Sequence, residues 1–403
     1  MEWKEYKISD ICNIKHGFAF KGIYFVDEPQ KYVCVTPGNF SLTGGFKNDK
    51  PKYYNGPIPD DYILHEDDLV ITMTDLSKNG DTLGFSALIP KDKNYTFLHN
   101  QRIGLVENIS KEIDKHFLYW IMRTYDYQKY IVGHCSGSTV KHTSPSNIGS
   151  YIFKSPSINI QKKISSVLDN IDAKIENNNK INANLEAQAQ ALFKSWFVDF
   201  EPFQNVEFED SELGRIPKGW KVDSIYEYIN IIYGAPYKSS LFNQDGNGYP
   251  LIRIRDLKDC SPQFYTAELL PNTEFVEYGD IVAGMDAEFI PHIWKGEKGL
   301  LNQRVCKIKP KSKKISNLYG LYLLKPQLEF VQSYKVGTTV SHLGKGDIDR
   351  FKVILPPIEV VERFSALANS LLNYMTKLAK ETKTLSTLRD TLLPKLMSGE
   401  IEV

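Results

Sequence analysis

Along two long stretches of the chain, 156–197 and 356–397, mostly apolar side chains recur at alternating steps of four and three residues. This spacing is typical of the a/d seam of a coiled coil. Each stretch predicts a helix of roughly 40 residues, about 60 Å long. The seam positions are Ile164, Leu168, Ile171, Ile175, Asn178, Asn182, Leu185, Ala189, Leu192 and Trp196, then Phe364, Ala368, Leu371, Met375, Leu378, Thr382, Leu385, Arg389, Leu392 and Leu396.

Helices of this length cannot be covered by one small domain, so we expect them to pack against each other. Four seam positions are polar, namely Asn178, Asn182, Thr382 and Arg389. Polar core residues can fix the register of a coiled coil at a cost in stability. A locally hydrated seam is the alternative interpretation.

The segment before each long helix has a different pattern, with short β-prone runs separated by clusters of Gly, Pro and Asn. Each segment also contains one helical stretch, and together these features predict a compact mixed domain. The predicted strands are 32–35, 68–71 and 102–106 in the first half and 249–254, 279–282 and 304–308 in the second; the predicted helices are 117–130 and 318–334.

The two halves also repeat each other in sequence. Gly17 to Lys21 corresponds to Gly234 to Lys238, and Asn100-Gln101-Arg102 returns as Asn302-Gln303-Arg304. The run 138–142 returns exactly 200 residues later. A duplicated framework with a divergent interior suits a protein that presents two similar surfaces to two different targets.

These patterns predict an α+β chain with five segments. Two mixed α/β domains occupy 1–155 and 219–355, long helices occupy 156–200 and 356–403, and a linker occupies 201–218. The linker contains two prolines and five acidic residues.

Composition narrows the function classes. The 403 residues carry a formal net charge of zero, which is mild evidence against a free-standing nucleic-acid binder. The five cysteines are scattered without a Cys-x-x-Cys pair, and the histidines lack zinc spacing, so we expect reduced thiols in a cytoplasmic protein and no metal site. Neither a signal peptide nor an apolar stretch long enough to span a bilayer is expected.

Sequence signals of catalysis are missing. The only Pro-Pro pair, Pro356-Pro357, stands at a helix entry rather than in a polar-Pro-Pro-aromatic loop. We find neither a Phe-x-Gly-x-Gly run for a methyl donor nor a Gly-x-x-x-x-Gly-Lys-Ser/Thr loop for nucleotide phosphates. We therefore expect a chain that is not itself an enzyme.

Three fragments resemble the specificity subunit of type I restriction–modification systems, in the same order along the whole chain. Residues 213–220 (LGRIPKGW) resemble the entry into that family's second target-recognition domain. Residues 191–200 (ALFKSWFVDF) resemble the exit of its first spacer helix, and 392–401 (LLPKLMSGEI) resemble its C-terminus.

This resemblance implies a subunit that reads a bipartite double-stranded DNA site, with one target-recognition domain for each part. The long helices would pair as an antiparallel coiled coil and separate the domains. Two methyltransferase subunits would dock on this scaffold and methylate adenine, and restriction/translocase subunits would add ATP-driven cleavage. The cofactors S-adenosylmethionine, ATP and Mg would belong to those partners, and none to this chain.

The repeated loop is one candidate for DNA contact. It offers Ser138, Thr139, Lys141 and His142 in the first half and Thr338, Thr339, Ser341 and His342 in the second. Hydroxyl groups, imidazoles and a cation suit phosphates and base edges. The alternative is a polar loop whose Ser or Thr caps the next helix.

Positions at which the halves differ are candidates for sequence discrimination, because two domains that read different bases should differ where they read. In this comparison Thr36 corresponds to Arg253 and Gly38 to Arg255, and the segment 75–78 corresponds to 287–290. Asn39, next to Gly38, is a further candidate. We expect the two arginines to alternate on one face of a strand.

Shared basic residues give further candidates. Lys21 and Lys238, each next to an aromatic residue, suit phosphate contact, although exposed lysines often serve solubility. Because Arg102 and Arg304 recur in both halves, we interpret them as buried residues that brace the framework. The basic stretch 307–314 suits contact with the DNA backbone, but we interpret it as a solvated hairpin tip, which is the more common role.

Trp196, Phe197 and Phe200 form an aromatic cluster at the end of the first long helix. We predict that a methyltransferase subunit docks on them; closure of the helix onto the preceding domain is the alternative.

A coiled-coil adaptor with two protein-binding domains is the alternative function. If the helices act as a ruler, four residues inserted in each would add about 6 Å, or one to two base pairs, between the half-sites.

Overall fold

The computed structural model describes residues 3–77, 79–335 and 342–403. Thr338, Thr339 and Ser341 therefore lie outside the described residues. The chain divides into two compact units, one formed by Met1–Ala173 with Leu385–Val403 and the other by Lys174–Thr384. Within the described ranges, none of the helices combines the length and apolar character needed to cross a membrane.

The helices and strands follow one another in a similar order in the two units. The helices are α1 (Ile8–Ile11), α2 (Lys115–Ile121), α3 (Tyr125–Gly133), α4 (Pro145–Gly149), α5 (Ile158–Phe197), α6 (Asn317–Lys335), α7 (Lys345–Ile348) and α8 (Ile358–Ser398). The strands of the first unit are β1 (Lys4–Lys7), β2 (Asn13–His16), β3 (Phe25–Val26), β4 (Tyr32–Val35), β5 (Tyr53–Tyr54), β6 (Leu69–Thr72), β7 (Thr74–Asp75), β8 (Ser86–Leu88), β9 (Thr96–His99), β10 (Ile103–Glu107), β11 (Lys141–His142) and β12 (Ile152–Ser155). Those of the second are β13 (Phe208–Ser211), β14 (Gly214–Pro217), β15 (Lys221–Ser224), β16 (Ile229–Tyr233), β17 (Tyr249–Ile252), β18 (Tyr265–Thr266), β19 (Phe275–Val276), β20 (Ile281–Gly284), β21 (Pro291–Ile293), β22 (Gly299–Leu301), β23 (Val305–Pro310) and β24 (Lys352–Leu355).

Sheet topology confirms that the repeat seen in the sequence is a repeat of the fold. The first unit has an antiparallel sheet in the order β2-β10-β6-β8, and the second has β16-β23-β20-β21. A parallel pair also recurs, β4 with β9 and β17 with β22. The first strand of each half pairs with the last strand before the long helix, β1 with β12 and β15 with β24. Each half is therefore a mixed α/β domain, as the sequence predicts.

The long helices pack in opposite directions within each unit. In the second unit, Asn178 near the middle of α5 bonds Glu381, whereas Phe197 at the end of α5 contacts Phe364 near the start of α8. In the first unit, Asp172 accepts a hydrogen bond from Arg389. All predicted seam positions are buried or half-buried, which confirms the antiparallel coiled coil.

Polar seam positions in the second unit have unsatisfied atoms. The side-chain oxygens of Asn178, Asn182 and Thr382 are buried without a hydrogen-bond partner. Asn178 still donates a hydrogen bond from Nδ2 to a Glu381 oxygen at 3.0 Å, so only its Oδ1 is unpaired. A buried unpaired acceptor costs about 1–3 kcal/mol.

We expect Asn182→Leu to raise the free energy of unfolding by about 1 kcal/mol, because leucine has a similar size and leaves no unpaired oxygen. Asn178→Leu is the matched control and should gain less, since it also removes the hydrogen bond to Glu381. Urea unfolding of the full chain measures both changes. A destabilised Asn182→Leu variant would show that the amide oxygen contributes favourably.

One predicted helix, 117–130, is interrupted. Thr124 accepts a hydrogen bond from the Tyr127 N–H and caps a new helix, so α2 and α3 replace a single element. In the second half α6 is one continuous helix and continues even through Pro326. The predicted linker also differs from expectation, because β13 and β14 form a hairpin there.

Candidate nucleic-acid interface

Several candidate residues of the first unit meet at one end of its antiparallel sheet. Thr72 at the end of β6 is paired with Ile103 at the start of β10, so the segments 73–75 and 100–102 are neighbours. Phe18 bridges to Asn100, and the pairing of β7 with β11 brings the 136–142 loop to the same place. Thr36 follows β4, which runs parallel to β9 up to His99. We call this end rim 1; it comprises residues 17–21, 36, 73–75, 100–102 and 136–142.

The second unit builds an equivalent end from the corresponding segments. Ala235 bridges to Asn302, and Asp286 bridges to His342. The Asn302 N–H donates to the Ile252 carbonyl oxygen, which places Arg253 beside the same turn. We call this end rim 2; it comprises residues 234–238, 253, 284–286, 302–304 and 342.

A close backbone approach explains why glycine begins each rim. A Cβ added to Gly17 would lie 2.1 Å from the carbonyl oxygen of Asn100. A Cβ added to Gly234 would lie 2.1 Å from that of Asn302. Any larger residue would push the two segments apart, so both halves keep glycine here.

The repeated loop of rim 1 presents its hydroxyl groups to solvent. Ser138 and Thr139 are exposed, and the next helix, α4, is capped by Ser144 instead. The helix-cap interpretation of these two residues is therefore wrong. His142 is exposed, with Nδ1 3.1 Å from the Thr74 hydroxyl, whereas Lys141 is half-buried beside the Cys135 sulfur. DNA contact by all four residues remains a prediction.

The second loop keeps the histidine but changes its partner. His342 Nδ1 lies 2.5 Å from a carboxylate oxygen of Asp286. Asp286 occupies the place of Thr74, since each follows a methionine whose N–H donates to the rim arginine carbonyl. The sequence comparison of 75–78 with 287–290 has the same register but begins one residue later, so it missed this difference.

Thr36 and Arg253, which differ between the halves, lie on equivalent turns. The Thr36 N–H donates to Asn39 Oδ1 at 2.8 Å, and the Arg253 N–H donates to Asp256 Oδ2 at 3.0 Å. Thr36 is half-buried at the rim, and Arg253 stacks its guanidinium 4.2 Å from the Phe264 ring centre. Both side chains remain candidates for sequence discrimination.

Two expectations about these turns are corrected. Asn39 is 3% exposed and its amide donates to Lys47, so it supports the turn rather than a DNA surface. Arg253 and Arg255 do not alternate along a strand, because β17 ends at Ile252 and a short 3-10 turn follows. Arg255 is exposed on that turn.

The shared basic residues are all exposed, which was expected of the two lysines but not of the two arginines. Lys21 and Lys238 are exposed. Gln101 with Arg102, and Gln303 with Arg304, are also exposed at tight turns, so the interpretation of both arginines as buried braces is wrong. A cavity of about 430 Å³ adjoins the first turn and is lined by Phe20, Phe25, Thr36, Lys52, Asn100, Gln101 and Arg102.

Lys307 does not belong to a solvated hairpin tip. Its ammonium group is buried in β23 and pairs with Asp280 at 2.8 Å and Glu274 at 3.0 Å. Although burial lowers the pKa of Lys307, the two carboxylates raise it more, and the net shift is upward. This lysine stabilises the second unit and is not a DNA contact.

A buried histidine lies directly below rim 1. His99 is fully buried, and its Nε2–H donates to the Ile103 carbonyl oxygen at 2.8 Å. Its Nδ1 has no hydrogen-bond partner. Burial lowers the pKa of His99 to about 4, so the ring is neutral at pH 7. The equivalent residue of the second half is Leu301.

The aromatic cluster at the end of α5 is largely internal. Phe197 is 7% and Phe200 9% exposed, and both pack on Trp220 in the core of the second unit. The prediction that they form a docking surface is therefore wrong, because their apolar surface is already covered. Trp196 is half-buried, with the Arg363 guanidinium 5.8 Å from its ring centre. The helix end thus closes on the domain that follows it, not on the preceding one.

Comparisons with known proteins agree with this architecture. A family model described as "Type I restriction modification DNA specificity domain" matches residues 1–187 and 217–383. The MjaIX specificity subunit of Methanocaldococcus jannaschii is 29% identical over 79% of this chain and 72% of its own length. The HindI specificity subunit of Haemophilus influenzae is 24% identical over 99% of this chain and all of its own. The S subunit crystal structure from M. genitalium superposes over 98% of this chain and 96% of its own, with a TM-score of 0.58 at 16% identity.

Proposed function

Because the chain belongs to the type I restriction–modification DNA specificity family, we propose that rim 1 and rim 2 each contact one part of a bipartite double-stranded DNA site. One observation carries this proposal. The rims share their backbone hydrogen bonds and the close contact between a glycine and an asparagine. They differ in side chains, because Thr36 of rim 1 corresponds to Arg253 of rim 2 and Thr74 corresponds to Asp286. A common framework with different side chains suits two readers of different sequences.

The complex is proposed from the same family membership. This chain would bind two methyltransferase subunits and restriction/translocase subunits, and it would make and break no bonds itself. S-adenosylmethionine, ATP and Mg would be bound by those partners. A cytoplasmic location follows from this role as a prediction.

A gel shift tests the proposal directly. The full-length chain, mixed with its methyltransferase partner, should retard a DNA duplex in a salt-sensitive manner, because phosphate contacts release counterions. The absence of any shift at low salt would instead support an adaptor with two protein-binding domains.

The helix pair provides a second test, of spacing. We expect that seven residues inserted into both helices, at the facing positions Asn178 and Glu381, lengthen the gap between half-sites by about three base pairs. Seven residues preserve the a/d phase and add about 10 Å, against about 3.4 Å per base pair. Four residues in each helix should add one to two base pairs. Methylation mapping measures the gap, and an unchanged gap would reject the ruler.

A further inference from the structure

We propose that Gln101 with Arg102, and Gln303 with Arg304, hold the phosphate backbone of DNA at the two rims. This role rests on the proposed function and adds to it the residues that position the DNA without reading its sequence.

The backbone of the two turns is fixed in the same way. Three hydrogen bonds hold each turn, and their lengths agree between the units. In the first unit, the backbone N–H groups of Gln101, Met73 and Ile103 donate to the carbonyl oxygens of Phe18, Arg102 and Asn100, each at 2.9 Å. In the second unit, the N–H groups of Gln303, Met285 and Val305 donate to the carbonyl oxygens of Ala235, Arg304 and Asn302, at 3.0, 2.9 and 2.9 Å.

The side chains of the two central residues take no part in this framework. Gln101, Arg102, Gln303 and Arg304 are all exposed, although each flanking asparagine is buried. Among the described residues, only Arg304 of these four pairs its side chain within the domain, with Asp286, so a structural role does not account for the other three. Instead, Arg102 opens onto the rim 1 cavity together with Lys52, so two cations converge on one concave surface.

The identity of the side chains at the two turns indicates positioning rather than discrimination. Residues that are the same in both domains cannot distinguish two different half-sites. An arginine guanidinium pairs with phosphate oxygens, and a glutamine amide donates to phosphate or sugar oxygens. Such contacts fix the register of a protein on DNA and carry no sequence information.

The rims differ in the residue next to the arginine, which is acidic at rim 2 and uncharged at rim 1. At rim 2, Arg304 Nε lies 3.3 Å from an oxygen of Asp286, whose other oxygen contacts His342. At rim 1, Thr74 takes this place and offers no charge. A phosphate at rim 2 must therefore compete with a carboxylate, and removal of that charge should strengthen binding there.

Fluorescence anisotropy with the full-length chain and its methyltransferase partner tests this inference on a labelled duplex of random sequence. Arg102→Ala and Arg304→Ala should each lower the affinity about tenfold at about 0.1 M salt and reduce the salt slope by about 0.9. Asp286→Asn should raise the affinity. Arg215→Ala is the matched control, because Arg215 is 71% exposed on the β13–β14 hairpin, and it should bind like the wild type.

Each remaining outcome has a distinct meaning. Wild-type affinity and salt slope in Arg102→Ala and Arg304→Ala would overturn the inference while the proposed function stands. Unchanged binding of random DNA combined with loss of one methylated half-site would also overturn it, because the arginines would then read bases. Failure of the wild-type complex to bind any duplex would reject the proposed function itself. Thermal unfolding of each variant shows whether a loss of affinity reflects misfolding.

Discussion

Asp172→Ala should lower the free energy of unfolding of the first unit by about 3–5 kcal/mol, the usual consequence of removing one partner from a buried ion pair. Asp172 accepts from Arg123 at 2.5 Å through one oxygen and from Arg389 at 2.7 Å through the other. The two arginine side chains are only 2% and 9% exposed. Without the carboxylate, two buried positive charges lose their shared partner. Urea unfolding monitored by circular dichroism measures the change.

Two control variants test whether the loss of stability comes from the two buried arginines losing their shared carboxylate. Asp390→Ala removes a second partner of Arg389 that is 54% exposed, so it should cost less than about 1 kcal/mol. Arg389→Leu leaves Asp172 paired with Arg123 and restores an apolar residue to the seam, so its cost should also be small. A mild effect of Asp172→Ala, equal to that of Asp390→Ala, would contradict the network described for the first unit.

His99→Leu should remove a pH-dependent loss of stability. The unfolded chain protonates His99 near its ordinary pKa of 6.5, whereas the folded chain does so only near 4, because burial opposes the charge. Stability therefore falls as the pH is lowered from 6.5 to 4, by about 3 kcal/mol in total. Leucine fits because Leu301 occupies the equivalent site in the second unit.

The measurement compares unfolding free energies of wild type and His99→Leu between pH 7 and pH 4.5. The stability of His99→Leu relative to the wild type should rise steadily as the pH falls, since only the wild type carries the penalty. His116 titrates in the opposite sense, because its hydrogen bond to Asp169 raises its pKa. The difference between variant and wild type, not the total slope, is therefore diagnostic. His65→Gln, at an exposed site, is the control, and parallel curves for His99→Leu would refute the buried neutral ring.

Local spacing in the sequence was enough to predict the long helices. An a/d pattern depends only on which residues recur every three or four positions, so both seams could be identified without knowledge of the fold. The repeated fragments likewise predicted two related domains, because Gly17 and Gly234 are required by the same backbone contact. The limits of the helix 117–130 were not predicted, since the capping action of Thr124 was overlooked.

Burial was the property that the sequence did not reveal. The repetition of Arg102 and Arg304 suggests a buried brace, although repetition equally fits a common contact with DNA. Phe197 and Phe200 suggested an exposed docking surface, but Trp220 packs on both. Tyr319 and Phe364, which are distant in sequence, also pack on Phe197. The sequence did contain one signal for the burial of His99. Its equivalent in the second half is Leu301, and an apolar residue at the equivalent position indicates an apolar environment.

Methylation mapping of cells that contain this chain and its methyltransferase partner tests the central claim most directly. We predict methylated adenines within two short defined sequences that flank a gap of fixed length and free sequence. Arg253→Ala, at a divergent position of rim 2, should relax or alter one of the two sequences and leave the other intact. A single uninterrupted methylated sequence, or an Arg253→Ala variant that changes both parts together, would contradict two independent reading surfaces.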